Sequence, residues 1–222
     1  MLQKGKTRKT LEYFLEFFIV ILGICIAFWL GEQAEKAKEN KLEKQYLTGL
    51  REDLEADLGL IEYLNLLHTS KTEIIQEAVT FLAGYDSRLS IDSIPYYVEA
   101  MTELDLFYPD DFTYGSLRQS GDFKLLKNHD LQKNLVQLYS SYESIEKEQN
   151  DLKSALDNNF FPVYFKNFNT ANQKIVNRDY FRSSELASFM VFTLERMNTI
   201  SVYYERSKTI AEQTLKLFEV EE

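Results

Sequence analysis

Between Phe17 and Leu30 the chain reads FFIVILGICIAFWL, fourteen residues whose only side chain that is not plainly apolar is Cys25. Widened to residues 11–31, the stretch holds 21 residues interrupted by Glu12 and Glu16 alone. A helix of about 20 residues crosses a hydrocarbon layer of about 30 Å. Tyr13 and Trp29 stand near its two ends, where amphipathic rings settle at the membrane interfaces. A buried core helix would account for the fourteen apolar residues. The leader MLQKGKTRKT, with Lys4, Lys6, Arg8 and Lys9 and no acid, favours a membrane span instead. No small-x-small cleavage site follows the apolar run, and Ile24 rather than a small residue precedes Cys25, so the segment reads as a retained anchor.

Charge then orients the chain. Bases crowd the leader, whereas the lysines after the span are diluted by Glu32, Glu35, Glu39 and Glu43. The positive-inside rule puts residues 1–10 in the cytoplasm and residues 32–222 across the membrane; the absence of an N-x-S/T sequon is consistent with a bacterial inner membrane and a periplasmic location for them. Taking the four bases and two acids of residues 1–30 from totals of 25 and 35 leaves residues 31–222 with a net charge of −12. Such a surface repels nucleic acid and anionic lipid headgroups. Cys25 is the one cysteine and lies in the span, so the exported part must fold by packing, without disulfides.

Glycine (8) and proline (3) are scarce among 222 residues, which disfavours a turn-rich sheet protein. The expected class is all-α: a single transmembrane helix continuing into a bundle of long helices. Leu47, Leu50, Leu54, Leu58, Ile61 and Leu64 recur at three or four residues and extend the anchor helix to about Ala83. That is a rod of about 105 Å, with a bend expected at Gly49 or Gly59 and an end at Gly84-Tyr85-Asp86. A short helix is expected near Asp92 with Pro95 in its first turn, and another over Thr113–Ser120, capped by Asp110 or Asp111 and stopped by Gly121.

Leu131, Leu135, Leu138, Tyr142, Ile145, Gln149, Leu152 and Leu156 alternate spacings of four and three, the seam of a coiled coil. This helix should start at Asn128, stop at Pro162 and pack on another helix. FKNFNTANQKIVNRDYFR reads as a loop with a short hairpin. Ser183 or Ser184 should then cap a last helix to about Phe218, with Leu186, Met190, Met197, Ile200, Tyr204, Ala211 and Phe218 on its inner stripe.

On the span, Glu16, Gly23, Ala27 and Gly31 share one stripe, and Gly23-x-x-x-Ala27-x-x-x-Gly31 is a small-xxx-small series. Such a face admits a second copy or a partner helix. A carboxylate such as Glu16 inside the apolar layer usually faces protein or water.

No nucleophile elbow, phosphate loop, dinucleotide fingerprint or zinc motif occurs, and the two histidines, His68 and His129, are far apart. The expectation is no enzyme, cofactor or metal site. His68 reads as a polar-face residue and His129 as part of a helix start. Asp53/Asp57 and Asp110/Asp111 read as caps and solvated faces. The aromatic excess reads as core packing or, more sharply, as a partner-binding surface. The function expected is a membrane-anchored, oligomeric scaffold or accessory subunit that contacts itself or another membrane protein. The alternatives are a periplasmic ligand-binding sensor and a subunit of an ion-driven membrane complex in which Glu16 carries the proton.

The segments LEFFIVILGICIAFWLGEQ, LREDLEADL and FTYGSLRQSGDFKLLKNHDLQKNLVQLYSSYESI, in that order, resemble an uncharacterised Bacteroidetes family of single-pass membrane proteins, a domain of unknown function. Its pattern has a glutamate at the start of the span, matched by Glu16, and an I-G-I-x-I-A core, matched at Gly23 and Ala27. A later T-Y-x-x-L-x-x-S-G-x-x-x-L-I-x-(N/D) element is matched by Thr113, Tyr114, Leu117, Ser120, Gly121 and Leu126. The usual asparagine-tryptophan pair after the span is absent; Trp29 and Gly31-Glu32 stand there. The resemblance reaches to about residue 145 and implies location and architecture, not an activity. Tyr114, Leu117 and Gly121 form its structural turn.

Overall fold

The computed structural model describes residues 4–84 and 89–219, with side chains over 13–84 and 89–218. The start of the basic leader and the Tyr85-Asp86 part of the expected rod end lie outside the described residues. The described chain is all-α, apart from one two-residue hairpin.

Helix α1 (Lys4–Leu82) is a single helix of 79 residues, about 120 Å long. It runs on through Gly49 and Gly59, so neither glycine breaks it. Both sit among Leu, Glu and Asp residues that keep the hydrogen-bonded turns going, and one glycine costs a helix only about 1 kcal/mol. Its early part holds an 18-residue window of mean hydropathy 2.4, none of it buried, and is long and apolar enough to cross a membrane. From Leu50 onward one stripe turns inward: Leu54, Ile61, Leu64, Ile75 and Ala78 are buried. The helix ends at Gly84, whose φ of +79° takes the left-handed stop that a side chain would strain.

A 3-10 turn (Ile91–Ser93), capped by Ser90, leads into α2 (Ile94–Thr102) with Pro95 in its first turn. An extended segment reaches α3 (Phe112–Gln119), and Gly121 at φ +76° turns the chain toward a 3-10 turn (Asp122–Leu125). Helix α4 (His129–Ala155) starts where expected. The Asn128 side chain accepts the Asp130 and Leu131 N–H groups, satisfying two donors at the helix start. All eight heptad residues from Leu131 to Leu156 are buried.

Pro162 does not stop this helix. A π-turn over Leu156–Phe160 widens the spiral by one residue, and Pro162 falls in the first turn of α5 (Phe161–Asn167), where no N–H is needed. The hairpin β1 (Phe168–Asn169) and β2 (Lys174–Ile175) follows inside the expected loop. Ser183 then caps α6 (Ser184–Glu219) through its Oγ, which accepts the Leu186 N–H at 3.2 Å.

Helix α6 lies between α1 and α4 and makes the main contacts with both. Its buried stripe contains the seven apolar residues expected and, at the gaps, Thr193, Ser207 and Thr214. Ser207 meets Ser141 of α4 at 2.7 Å, so a polar pair at the seam satisfies itself. Rings fill the end near α5: Phe160, Tyr164, Phe168, Tyr180 and Phe181 are all buried. Many of the aromatics are therefore core, including Phe107, Tyr114, Tyr139, Tyr142 and Tyr204.

The two interior glycines of α1 differ. A Cβ at Gly49 would lie 2.8 Å from Thr113 Oγ1, whereas one at Gly59 would meet nothing within 4 Å. Thermal unfolding of the full chain in micelles should show Gly59→Ala stabilised by about 0.5–1 kcal/mol and Gly49→Val destabilised by about 1–3 kcal/mol. Equal effects at both positions would contradict the close approach of α1 and α3.

Candidate functional site

The stretch of α1 from Glu43 to Asp57 carries a row of polar residues that fasten the chain between Asp110 and Lys127. Asp57 Oδ1 accepts the Asp110 N–H at 2.8 Å, and Asp53 Oδ2 accepts the Thr113 N–H at 3.3 Å. Thr113 also rests on Gly49. Tyr46 donates its O–H to Asp122 Oδ2 at 3.0 Å. Glu43 accepts the Lys127 N–H and pairs with its ammonium at 2.5 Å. These partners are 53 to 84 residues apart in sequence, so side chains rather than local propensity set where this segment lies.

Two residues expected on the surface are inside. Asp57 is only 2% exposed and His68 only 4%. The run 50, 54, 57, 61, 64, 68 alternates four and three, so both occupy the seam of α1, whereas Leu58 is only partly buried. Asp57 is no cap of its own helix: it holds a backbone N–H of the extended segment. Nearer α2, Gln149 grips the same segment at Phe107. In the amide orientation that satisfies both of its ends, it accepts from the Phe107 N–H at 2.8 Å and from the Tyr204 O–H at 3.1 Å, and donates to the Phe107 carbonyl at 3.2 Å. His68 packs edge-on to Tyr204 at 5.3 Å, with no partner for Nδ1.

Around Asp57 the hydrogen bonding is incomplete. Its Oδ2 and the hydroxyl of Tyr142 are buried without a partner. Tyr139 is satisfied, its O–H donating to the Asp110 carbonyl at 3.2 Å. Burial pushes the Asp57 carboxyl up to about 7, and the nearby charges of Asp110 and Asp53 add to this. The bond from the Asp110 N–H opposes it. Burial, foremost, also drives the hydroxyls of Tyr139 and Tyr142 upward. His68 is held below its ordinary value, chiefly by burial.

On the other side of Tyr139 and Tyr142 lies an open cleft of about 380 Å³ between α3 and α4. Tyr114 of α3 stacks on Tyr139 with ring centroids 3.7 Å apart, and Tyr139 meets Tyr142 edge-on at 5.4 Å. Asp111, Arg118, Glu143 and Glu146 line its rim. Of the structural turn read from the sequence, Tyr114 lines this cleft, while Leu117 is buried in the core and Gly121 makes the left-handed turn.

The span residues stand apart from this site. Glu16, Gly23, Ala27 and Gly31 are exposed along α1, and a Cβ at Gly23 or Gly31 would meet nothing within 4 Å. Leu131, Leu135, Leu138, Tyr142 and Ile145 form the bundle contact of α4, and only Tyr142 also reaches the cleft. Among the described residues no three His, Cys, Asp or Glu side chains converge as a metal ion requires. The chain matches no family model, no curated protein and no solved structure.

Asp57 generates a pH prediction. Its folded-state value is above its ordinary 3.8, so folding takes up a proton between about pH 4 and 7. The associated stability is fully present below the unfolded value and is lost as the pH rises through about 7. Asp57→Asn keeps an acceptor for Asp110 and removes the charge. Its melting temperature should gain on the parent protein as the pH is raised from 5 to 8. A difference that stays constant over that range would show Asp57 already ionised.

Proposed function

We propose that this protein is a non-enzymatic, membrane-anchored scaffold or accessory subunit that works through protein contacts. Its short N-terminus faces the cytoplasm of a bacterial cell, and the bundle stands in the periplasm beyond a single inner-membrane span. The observation that carries this is the continuity of α1. One helix leaves the apolar segment and becomes the first helix of the bundle without an intervening linker. A rigid-body movement of the anchor is therefore a movement of the bundle, which suits a part that holds or reports position. The net charge of −12 beyond the span keeps the bundle away from anionic headgroups and nucleic acid.

Association uses the Gly23, Ala27 and Gly31 stripe, where small side chains let a second backbone approach. Glu16, on the same stripe, then faces protein rather than lipid. Membership of the Bacteroidetes family that the chain resembles belongs to this proposal. The turn that carries the resemblance has a physical counterpart here: Thr113 rests on Gly49, Ser120 Oγ lies 3.4 Å from the Tyr46 hydroxyl, and Gly121 turns the chain. A sensor that binds a small molecule is the second reading, favoured by the tyrosine-walled cleft.

Gentle extraction of the full-length protein followed by native mass spectrometry tests the scaffold reading. The parent protein should emerge as an oligomer or with a membrane partner, and Gly23→Leu should release it as a monomer. An unchanged assembly in Gly23→Leu would remove the stripe from the interface.

A further inference from the structure

Another cleft, of about 450 Å³, opens at the far end of the bundle between α2, α5 and the hairpin turn. Tyr97 of α2 donates its O–H to Glu77 Oε2 at 3.1 Å, and from Gly31 to Glu77 α1 rises about 70 Å. The walls of this cleft carry aromatic rings that stand in the open: Tyr96 is 59% exposed and Phe165 57%. Each ring is braced by a neighbour. Phe165 stacks on Phe161 with centroids 5.4 Å apart, and Tyr96 meets Tyr97 edge-on at 5.3 Å. They are held in place yet keep free surface, unlike Tyr114 and Tyr139, which cover each other in the core.

Polar groups occupy the floor and the rim. Tyr164 is only 7% exposed, and its hydroxyl is neither sealed in nor hydrogen-bonded among the described residues. Burial, with Tyr180 and Glu99 nearby, pushes it up to about 12, so it stays a donor at neutral pH. Glu99, Thr170 and Gln173 are exposed along the rim. The turn that carries Thr170 and Gln173 is fixed by Asn169 Oδ1, which accepts the Ala171 N–H at 3.0 Å. Asp92 is already neutralised, both of its oxygens accepting from Arg178 Nη2 at 2.7 Å. Glu99 is left as the one lining carboxylate outside an ion pair among the described residues.

Open ring surface, hydroxyls, an amide and a single uncompensated charge are the counterparts of a pyranose, which has an apolar C–H face and hydroxyls around its edge. We propose that this cleft is a saccharide-binding site, with Tyr96 and Phe165 stacking on the sugar face and Tyr164, Glu99 and Gln173 bonding its hydroxyls. A metal ion would find only one free carboxylate here. Hydrolysis of a glycosidic bond takes two working carboxylates, and Asp92 is held by Arg178, so the site binds sugar without cleaving it. The volume falls within the ~300–1,000 Å³ of small-molecule sites. The site uses no residue of the span and stands without the scaffold reading.

The test is a ligand-observed NMR titration of the full-length protein in a polyoxyethylene detergent, whose headgroup carries no sugar. The probes are N-acetylglucosamine, its β-linked trimer, and sorbitol, which has the hydroxyls without the ring face. Saturable binding is expected for the sugars and none for sorbitol. Tyr96→Ala and Phe165→Ala each remove an exposed ring. Both variants should keep the parent's circular dichroism and melting temperature and bind the trimer about tenfold more weakly. A trimer that binds much more tightly than the monosaccharide assigns the site to a glycan chain, and equal affinities assign it to a free sugar. No saturable binding of either sugar, displacement of the sugar by butylammonium, or unchanged affinity in either ring variant would overturn the proposal.

Discussion

Along its 79 residues α1 changes which of its faces is apolar. In its early part the side chains from Tyr13 through Leu30 are exposed all round, the pattern of a helix that meets lipid. From Leu50 only one stripe is apolar and buried, the pattern of a helix packed on others. The transition occurs over Glu32 to Lys41, where charged residues on every side leave the helix solvated and include an i,i+4 pair, Glu32 with Lys36. The rest of the fold hangs on this one element: α6 lies along it, and the segment from Asp110 to Lys127 is fastened to it by Glu43, Tyr46, Asp53 and Asp57.

Those fastenings differ in kind from the helical seams. The α4–α6 seam is mainly apolar and repeats every seven residues, so its strength is spread over many residues. The attachment of the 110–127 segment depends on a few polar groups, each of which costs about 1–3 kcal/mol if its partner is removed while it stays buried. Asp57 is the extreme case, since one of its oxygens is bonded and the other is not. The same arrangement brings Tyr114, Tyr139 and Tyr142 together, so the cleft is a by-product of how α3 is fastened across α1 and α4.

What could be read beforehand divides along the same line. The heptads of α4 and the apolar stripe of α6 were legible because burial there is carried by leucine, isoleucine and aromatic residues at a strict period. The caps at Asn128 and Ser183 and the stop at Gly121 were legible because one side chain or one φ value decides each. Asp57 and His68 were not, because a polar residue at a seam position looks like a solvated one until its partner, distant in sequence, is known. Preferring Leu58 to Asp57 followed hydrophobicity; the strict alternation of four and three would have chosen Asp57. Thr193, Ser207 and Thr214 escaped for the same reason. Pro162 misled because a π-turn, which has no pattern in side-chain period, moves it into a first turn.

The central claim is mechanical: span and bundle share one uninterrupted helix. Electron–electron distance measurement in proteoliposomes reads this directly, with spin labels at Gln33→Cys and Leu66→Cys in a Cys25→Ser background. Both positions are exposed on α1. At 1.5 Å per residue an unbroken helix sets their separation at about 50 Å, with a narrow distribution. A broad distribution, or one centred well below that distance, would mean that α1 breaks between membrane and bundle, and that anchor and bundle move independently.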